Sequence, residues 1–550
     1  MDAGMMDHPL STQMIFDRGE RLFAQSSIAS FDGSEIIRKS FSDTAIRARC
    51  LASALFGLGL EPGERVGTYC WNTPHHLEAY LAVPAMGAVL HTLNVRLPEE
   101  QLEYVINHAD DRVLLVDAML MPTLLPILDR LTGVAHLVIH GQWAGGVNGF
   151  VGEVHDHERL IAGFEPIAEW PRILETDAAA MCYTSGTTGM PKGVVYSHRS
   201  IFLHSLASLA TDAFAISNRD VILMVPPMFH ANAWGMPFSG WLAGSDMILP
   251  AQHVQPDRLA RAIELAKPTL MAAVPTILND LLQAHARSPL DLSGFRTIVS
   301  GGSAVSPALI ERVKRAWGVD VMQGWGMTET SPMCVLSAPP RDASGETALR
   351  YQSKSGRPVA GMEVRIVDES GARLPDDGVT IGHLELRGPW VAARYYLEQP
   401  EESPLTGDGW LRTGDVGTID GLGYVQVTDR IKDLIKSGGE WISSVDLENE
   451  IIRMPNIAEV AVVAVPDARW EERPLAVVVM VEGWEPDYRA MRLILADKFA
   501  KFMIPEYWAS VKAIPKTSVG KMDKKSIREQ VDSGVLAVVV ETSFTLGVGT

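Results

Sequence analysis

The sequence has few cysteines, no long apolar run and no concentration of basic charge. Its four cysteines, Cys50, Cys70, Cys182 and Cys334, lie far apart and form no CxxC pair. That spacing suggests neither a disulfide framework nor a cysteine-based zinc site, and it fits a reducing compartment. No uninterrupted apolar stretch approaches the roughly 20 residues of a membrane helix. The opening "MDAGMMDHPLSTQMIFDRGERLF" lacks the basic segment, apolar core and small-residue cleavage site of a secretory leader, so a cytoplasmic location is expected. Forty-eight basic residues against 67 acidic ones give a formal charge of -19. Such a balance opposes nonspecific binding to nucleic acid or anionic lipid, and neither partner is expected.

What is present is an ordinary globular composition, 47% hydrophobic and 21% charged over 550 residues. That length exceeds what one core organises, so a large multi-lobed domain and a smaller one are expected. Strand and helix signals alternate through the first three quarters. "GERVGTYC" reads as a turn entering a strand, "EEQLEYVINHADD" as a helix with Leu102, Val105 and Ile106 on one face, and "RVLLVD" as a buried strand. The fold class is therefore α/β.

The stretch "TIVSGGSAVSPALIERVKRAWGVDVMQGWGMTE" is the clearest unit. Thr297 to Ser300 reads as a strand. Ser306 caps a helix with Pro307 in its first turn, Leu309, Val313, Ala316 and Trp317 form its apolar stripe, and Gly318 ends it. Val319 to Gln323 returns as a strand. Gly301–Gly302 and Gly324–Gly326 then lie in loops beyond strand ends, where ligands of open α/β sheets bind.

After about residue 370 short strands alternate with Gly and Asp turns, leading to a hinge around Asp429 to Asp433 and a compact α+β module. The divisions expected are a large domain over 1–430, a small mobile domain over 431–530 and a tail over 531–550. The tail is apolar and weakly charged, suited to an edge strand, a dimer contact or disorder. "HGQWAGGVNGFVGEVHDH" reads as a solvated surface loop, in preference to a metal site at His155 and His157.

The densest chemical signal is "YTSGTTGMPKGVVYSH", Tyr183 to His198. Glycines let backbone amides turn toward an anion, hydroxyls add neutral donors and Lys192 adds charge, so phosphate is the natural guest. The spacing is not that of a Walker loop: two residues separate Gly186 from Gly189, and Met190 and Pro191 precede the lysine.

This stretch resembles the phosphate loop of the adenylate-forming superfamily, which includes acyl-CoA synthetases, luciferases and peptide-synthetase adenylation domains. "PMFHANAWG", "SGGS", "QGWGMTET", "TGD", "DRIKDLIKSGGEWISS" and "PKTSVGKMDK" follow in that family's order. The resemblance implies that a carboxylate attacks the α-phosphate of Mg-ATP, giving an acyl-adenylate and pyrophosphate, and that a thiol then displaces AMP. Thr184, Ser185, Gly186, Thr187, Thr188, Gly189 and Lys192 would hold the β- and γ-phosphates. Thr328 would touch the α-phosphate, Glu329 would hold magnesium, and Thr184 would be the second metal contact. Trp325 would stack on adenine where many relatives carry tyrosine, Gly302 and Ser303 would line the base, and Asp415 and Arg430 would fix the ribose. Gly326, Met327 and Lys436 would complete the nucleotide contacts.

By the same resemblance Lys521 would bridge substrate carboxylate and ATP during adenylation, a cation between two anions. Read alone, "KMDKK" would be a solvated charged face. Lys432 would contribute at the pivot, and Gly438, Gly439, Glu440 and Trp441 would pass the pantetheine arm of CoA. His230 stands where amino-acid-activating relatives carry an aspartate, which points away from amino acids; no carrier domain follows Lys521, so CoA is the expected acceptor. "FHANAW" and "SGGEWISS" are most similar to medium- and long-chain fatty acyl-CoA synthetases, and among them to 3-(methylthio)propionyl-CoA ligases. His230, Trp234, Gly302, Trp325 and Pro332 would line the acyl pocket, Trp234 as an aromatic gate. Short or medium unbranched acids follow, 3-methylthiopropionate included. A longer-chain fatty acid ligase, a luciferase-like oxygenase and a silent adenylate-binding protein are the alternatives, and a homodimer is the expected assembly.

Overall fold

A computed structural model describes residues 4–184, 190–399, 403–437, 440–467, 469–517 and 522–542. Two largely parallel sheets dominate. The seven-stranded sheet runs Glu153–Asp156, His136–His140, Asp111–Asp117, Arg65–Tyr69, Val89–Thr92, Ala178–Tyr183, Gly193–Ser197, with its last pair antiparallel. The nine-stranded sheet centres on Val321–Gly326, Thr297–Gly301, Leu270–Ala273, Val221–Leu223 and Asp246–Leu249, all mutually parallel. Near-continuous apolar strands such as Asp111–Asp117 are what burial on both faces demands.

Between the sheets lie two buried helices. In Pro74–Ala85 every residue after the first is buried, and in Met236–Ala243 every residue is. Met236–Ala243 has no charged side chain and belongs inside, whereas the buried His76 and Glu78 of Pro74–Ala85 are met by Thr68 and Arg47. The shared core joins Val66, Leu90 and Val113 of one sheet to Ile222, Met247 and Val299 of the other. Trp241 anchors it: its ring stacks on Phe41 at 4.1 Å and its indole Nε1 donates to the Phe16 carbonyl at 3.0 Å.

An antiparallel sheet of Glu363–Val367, Gly382–Arg387, Leu411–Ile419 and Val425–Arg430 follows. Beyond it a six-stranded sheet, built around the long hairpin Ile457–Asp467 and Glu471–Met480, carries its own core with Leu447, Val462 and Trp508. Asp429 fastens the two parts together. Its carboxylate accepts from Ser444 N at 2.8 Å and from the Ser444 hydroxyl, at the start of the helix Ser444–Ile451. Lys524 reaches the same corner, 2.8 Å from Glu448 and hydrogen-bonded to Ser444, and Arg528 pairs with Asp433 at 2.8 Å. Lys524 is thus half of an interior network, where "KMDKK" alone suggested a solvated face. Burial would pull its ammonium down, but Glu448 and Asp429 outweigh burial and hold it above the usual lysine range.

Several sequence expectations change in detail. Ser306 caps the helix Pro307–Trp317 and Gly318 ends it in the left-handed conformation, as expected, but Ile310 replaces Ala316 in the buried stripe and Ala316 is exposed. Gly324–Gly326 is not a loop; it is the end of the strand Val321–Gly326, because Met333–Leu336 pairs with it antiparallel. The "HGQW" segment ends in the ordered strand Glu153–Asp156 and the helix His157–Ala162. Of the tail, Val539–Val540 forms an edge strand on Tyr507–Ser510, and residues 543–550 lie outside the described residues. No helix among the described residues is long and apolar enough to cross a membrane.

Trp241→Ala removes a fully buried ring and its hydrogen bond. We expect a loss of about 3–5 kcal/mol in denaturant unfolding, whereas Trp484→Ala, at a residue 61% exposed, stays within about 0.5 kcal/mol.

Candidate active site

A cavity of about 630 Å³ opens where the carboxyl ends of the two parallel sheets converge. Its wall is assembled strand by strand. Trp71 and Asn72 follow Arg65–Tyr69, Pro226 and Pro227 follow Val221–Leu223, Val274 and Thr276 follow Leu270–Ala273, and Gly301 and Gly302 end or follow Thr297–Gly301. Side chains and backbone at such ends are freed from the ladder and point at one space.

At the polar end, the hairpin of Ala178–Tyr183 and Gly193–Ser197 is prolonged by Thr184 N donating to the Lys192 carbonyl at 2.9 Å. That bond sets both Thr184 and Lys192 on the cavity wall. The Lys192 ammonium lies 3.4 Å from Glu398 and 4.8 Å from the Tyr395 ring centroid. Tyr395 in turn donates to Glu329 Oε1 at 2.6 Å. Burial and the neighbouring Glu329 push the Tyr395 phenol up, so it remains a donor that orients this carboxylate. Tyr196 fixes the same turn by donating to the Thr328 carbonyl at 2.8 Å.

The strand Val321–Gly326 reaches this end through close backbone packing. A side chain at Gly326 would collide with the Pro332 carbonyl, so only glycine fits there, and one at Gly324 would press on Leu336 Cδ2, 2.9 Å away. Trp325 between them donates its indole Nε1–H to Asp415 Oδ2 at 2.9 Å. Asp415 stands opposite Arg430 in the antiparallel pair, with Arg430 Nε 3.4 Å from Oδ1. Thr413 sets the acid by accepting from Asp415 N at 3.0 Å. An aromatic face, a buried carboxylate and a guanidinium therefore share one corner, suited to a base and a ribose diol.

At the apolar end, Ala231, Asn232, Ala233 and Trp234 all have φ between 42° and 58°. A left-handed turn of non-glycine residues costs roughly 1–2 kcal/mol per residue and persists only where neighbours over-determine it. Here Asn232, 5% exposed, accepts from Tyr80 at 3.3 Å and Cys182 at 3.1 Å. Asn72 clamps the approach, its Nδ2 donating to Met224 and Pro226 carbonyls at 2.8 and 2.9 Å and its Oδ1 accepting from Met228 N at 2.7 Å. The turn carries His230 and Trp234 to the cavity, and Trp234 lies against Gly301, 3.5 Å from where a Cβ would stand.

The cavity thus gathers Thr184, Lys192, His230, Trp234, Gly302, Trp325, Gly326, Met327, Thr328, Glu329, Pro332, Arg430 and Lys432, with Asp415 behind Trp325. Ser303, Lys436, Glu440 and Trp441 are not on its wall; Lys436 instead stacks over Trp441 at 4.5 Å, on the hairpin Ile435–Ser437 and Glu440–Ile442. Ser185, Gly186, Thr187, Thr188, Gly189, Gly438, Gly439 and Lys521 lie outside the described residues. Sequence reasoning missed Asn72, Asn232, Tyr196, Tyr395 and Glu398. Only "RYYLE" offered a signal, an aromatic pair beside an acid in a segment with neither helical nor strand period.

The fold and this site define an adenylate-forming enzyme. Residues 23–396 match the AMP-binding enzyme family and residues 446–521 match the AMP-binding enzyme C-terminal domain. The chain is 41% identical over 531 residues to 3-methylmercaptopropionyl-CoA ligase of Ruegeria lacuscaerulensis, covering 96% of this chain and 98% of that protein. It is 42% identical over 535 residues to a long-chain-fatty-acid–CoA ligase of Thermus thermophilus, covering 96% of each. Among solved structures it superposes on the anthranilate CoA ligase AuaEII in complex with anthranoyl-AMP with TM-score 0.87 at 26% identity, covering 97% of this chain and 100% of that one. For ATP-bound MatB from Rhodopseudomonas palustris the TM-score is 0.81 at 27% identity, covering 94% and 98%. The chain belongs to the AMP-binding enzyme family, as an AMP-forming acyl-CoA ligase that uses ATP and CoA.

Trp325→Phe keeps an aromatic face but deletes the donor to Asp415. A hydrogen bond to a charged group contributes about 1.5–3 kcal/mol, so KM for ATP should rise about tenfold or more with a smaller change in kcat, measured by ATP-dependent AMP release.

Proposed function

We propose that the enzyme activates a short to medium unbranched carboxylic acid, 3-methylthiopropionate among them, and transfers the acyl group to CoA. The observation that carries this reading is the joining of two unlike regions in one cavity. Trp325 and Lys192 belong to its polar region, and Phe214, Val254, Ile277 and Leu336 to its apolar region, with Trp234 also on the wall. A flexible thioether packs in such a slot much as a methylene chain does. The curated relatives named for 3-methylmercaptopropionate and for medium-chain fatty acids match along 96% of this chain, which supports the same substrate class.

In the first step an oxygen of the acid forms a bond to the α-phosphorus while the bond to the pyrophosphate oxygen breaks and pyrophosphate leaves. Trp325, Asp415 and Arg430 hold the nucleoside, and Thr184 with Lys192 hold the departing phosphates, spreading charge that is already present before reaction. Thr328 and His230 lie at the wall where acid and α-phosphate would meet. In the second step the CoA sulfur attacks the acyl carbon, AMP leaves and the thiol proton passes to solvent. Lys521, Lys432 and Lys436, with Gly438 to Trp441, are assigned to these steps by resemblance, through alternation of the small domain 431–530 on the large domain 1–430.

Magnesium fits the donor set: Glu329 is a buried carboxylate and Thr184 a hydroxyl, both on the cavity wall, and hard oxygen ligands suit this ion. When bound it would neutralise phosphate charge. A homodimer and a cytoplasmic location belong to the same reading and rest on the family resemblance.

AMP release should be measured with CoA across straight-chain acids from acetate to palmitate and with 3-methylthiopropionate. We expect kcat/KM to peak at or below medium chain length or at the thioether; a maximum at palmitate would favour the longer-chain ligase. Trp234→Ala should shift the profile toward longer acids, and an unchanged profile would remove Trp234 from the acyl pocket. Lys521→Ala should lower ATP–pyrophosphate exchange about 10²-fold or more while CoA attack on supplied acyl-adenylate persists. Equal loss of both steps would sink that assignment.

A further inference from the structure

The outer edge of the seven-stranded sheet carries histidines that the ligase reaction does not use. The strands His136–His140 and Glu153–Asp156 run parallel, His136 opposite Glu153 and Val138 opposite His155. Successive strand residues alternate faces, so His136, His140, Glu153 and His155 share one face, and His157 follows in the same phase at the start of the next helix. Two groups of donors result. In the outer one, His136 Nδ1 and His155 Nε2 are 3.2 Å apart, with Glu153 at 3.9 and 3.7 Å. In the inner one, His140 Nδ1 and His157 Nδ1 are 3.4 Å apart, Glu158 Oε1 is 3.3 Å from His157 Nδ1 and 3.7 Å from His140 Nδ1.

The inner triangle has the dimensions of a face of a metal tetrahedron. Metal–nitrogen and metal–oxygen distances of about 2.0–2.1 Å require donors about 3.3–3.4 Å apart. His157 is 2% exposed, and its Nε2 has no hydrogen-bond partner among the described residues. This buried ring therefore makes its polar contacts through the nitrogen that faces the triangle.

The surroundings are balanced around this triangle. His75 stacks on His140 with ring centroids 3.4 Å apart and is itself paired with Asp117. Arg47 donates to Glu158 Oε1 at 2.7 Å and Oε2 at 2.9 Å and also pairs with Glu78 at 2.6 Å. Its charge is met by two carboxylates; Glu158 Oε2 keeps a second lone pair, and Oε1 spends its second on His157 Nδ1 at 3.3 Å, the contact a cation would replace. Two imidazoles and a carboxylate, without thiolate, match a borderline cation better than Mg²⁺ or Ca²⁺.

We propose that His140, His157 and Glu158 form a site for a first-row divalent transition-metal cation, of which Zn²⁺ is the best match. Its remaining position faces solvent, since the side chains of His140 and Glu158 are 31% and 53% exposed. The ion ties the sheet edge to the helix that follows it, and through Arg47 to the helix Phe41–Gly57.

The test uses the full chain, stripped with chelator, loaded with Zn²⁺, dialysed against metal-free buffer and assayed by elemental analysis and calorimetric titration. The expected result is about one tightly held Zn²⁺ per chain, with His140→Gln and Glu158→Gln each weakening it about tenfold or more while AMP release is retained. His157→Gln is buried and serves only as a secondary variant. A His136→Gln/His155→Gln double variant should keep the tight ion. Zn²⁺ should raise the unfolding temperature of the wild type and not of His140→Gln. The proposal is overturned if the wild type retains no ion, if His140→Gln and Glu158→Gln bind as the wild type does, or if only the double variant loses it.

Discussion

Asp415 is the point on which the architecture turns. Its carboxylate accepts from Trp325, at the end of a strand of the nine-stranded sheet, and faces Arg430 across the antiparallel sheet. One residue before Arg430, Asp429 accepts from Ser444 at the start of the helix Ser444–Ile451, which Ser443 caps. Trp325, Asp415, Arg430 and the fastening of the C-terminal part are therefore linked in one run of hydrogen bonds and ion pairs. A carboxylate buried this deeply persists only because its oxygens are matched, and those matches position three parts of the molecule together.

The two regions of the cavity are held by opposite means. Backbone packs so closely at the polar end that glycine is required at Gly326. At the apolar end an unfavourable left-handed turn is held by side chains distant in sequence, Tyr80, Cys182 and Asn72. The first gives a rigid surface at little conformational cost. The second gives one at a cost that the interior packing and four or more hydrogen bonds offset.

Much of this was legible in the chain. Alternation of apolar strands with capped helices sufficed for the α/β class and for Ser306 and Gly318 as helix boundaries, because caps and periodicity are local. Ordered motifs picked out Thr184, Lys192, Trp325, Asp415 and Arg430, which the fold brings to one cavity. What was not legible depends on contacts distant in sequence. Gly324–Gly326 resembles a loop until Met333–Leu336 pairs with it, and Lys524 resembles a surface charge until Glu448 and Asp429 surround it. His155 and His157 lie in a glycine-rich stretch that suggested solvent, yet His155 pairs into a sheet beside the strand His136–His140 and His157 starts the helix that follows. Asn72 and Asn232 carry no periodic signal at all, since a side-chain amide that braces a loop leaves no trace in composition.

The glycine packing at the polar end divides how freely this enzyme can change over evolutionary time. Gly326 has no viable neighbour in sequence space, because any added atom meets the Pro332 carbonyl. Phe214, Val254 and Ile277, by contrast, present side-chain ends that one nucleotide change can lengthen, shorten or branch without moving the main chain. Diversification of such a scaffold is accordingly lopsided: the apolar wall can be recut by single steps while the glycine-bound end stays frozen.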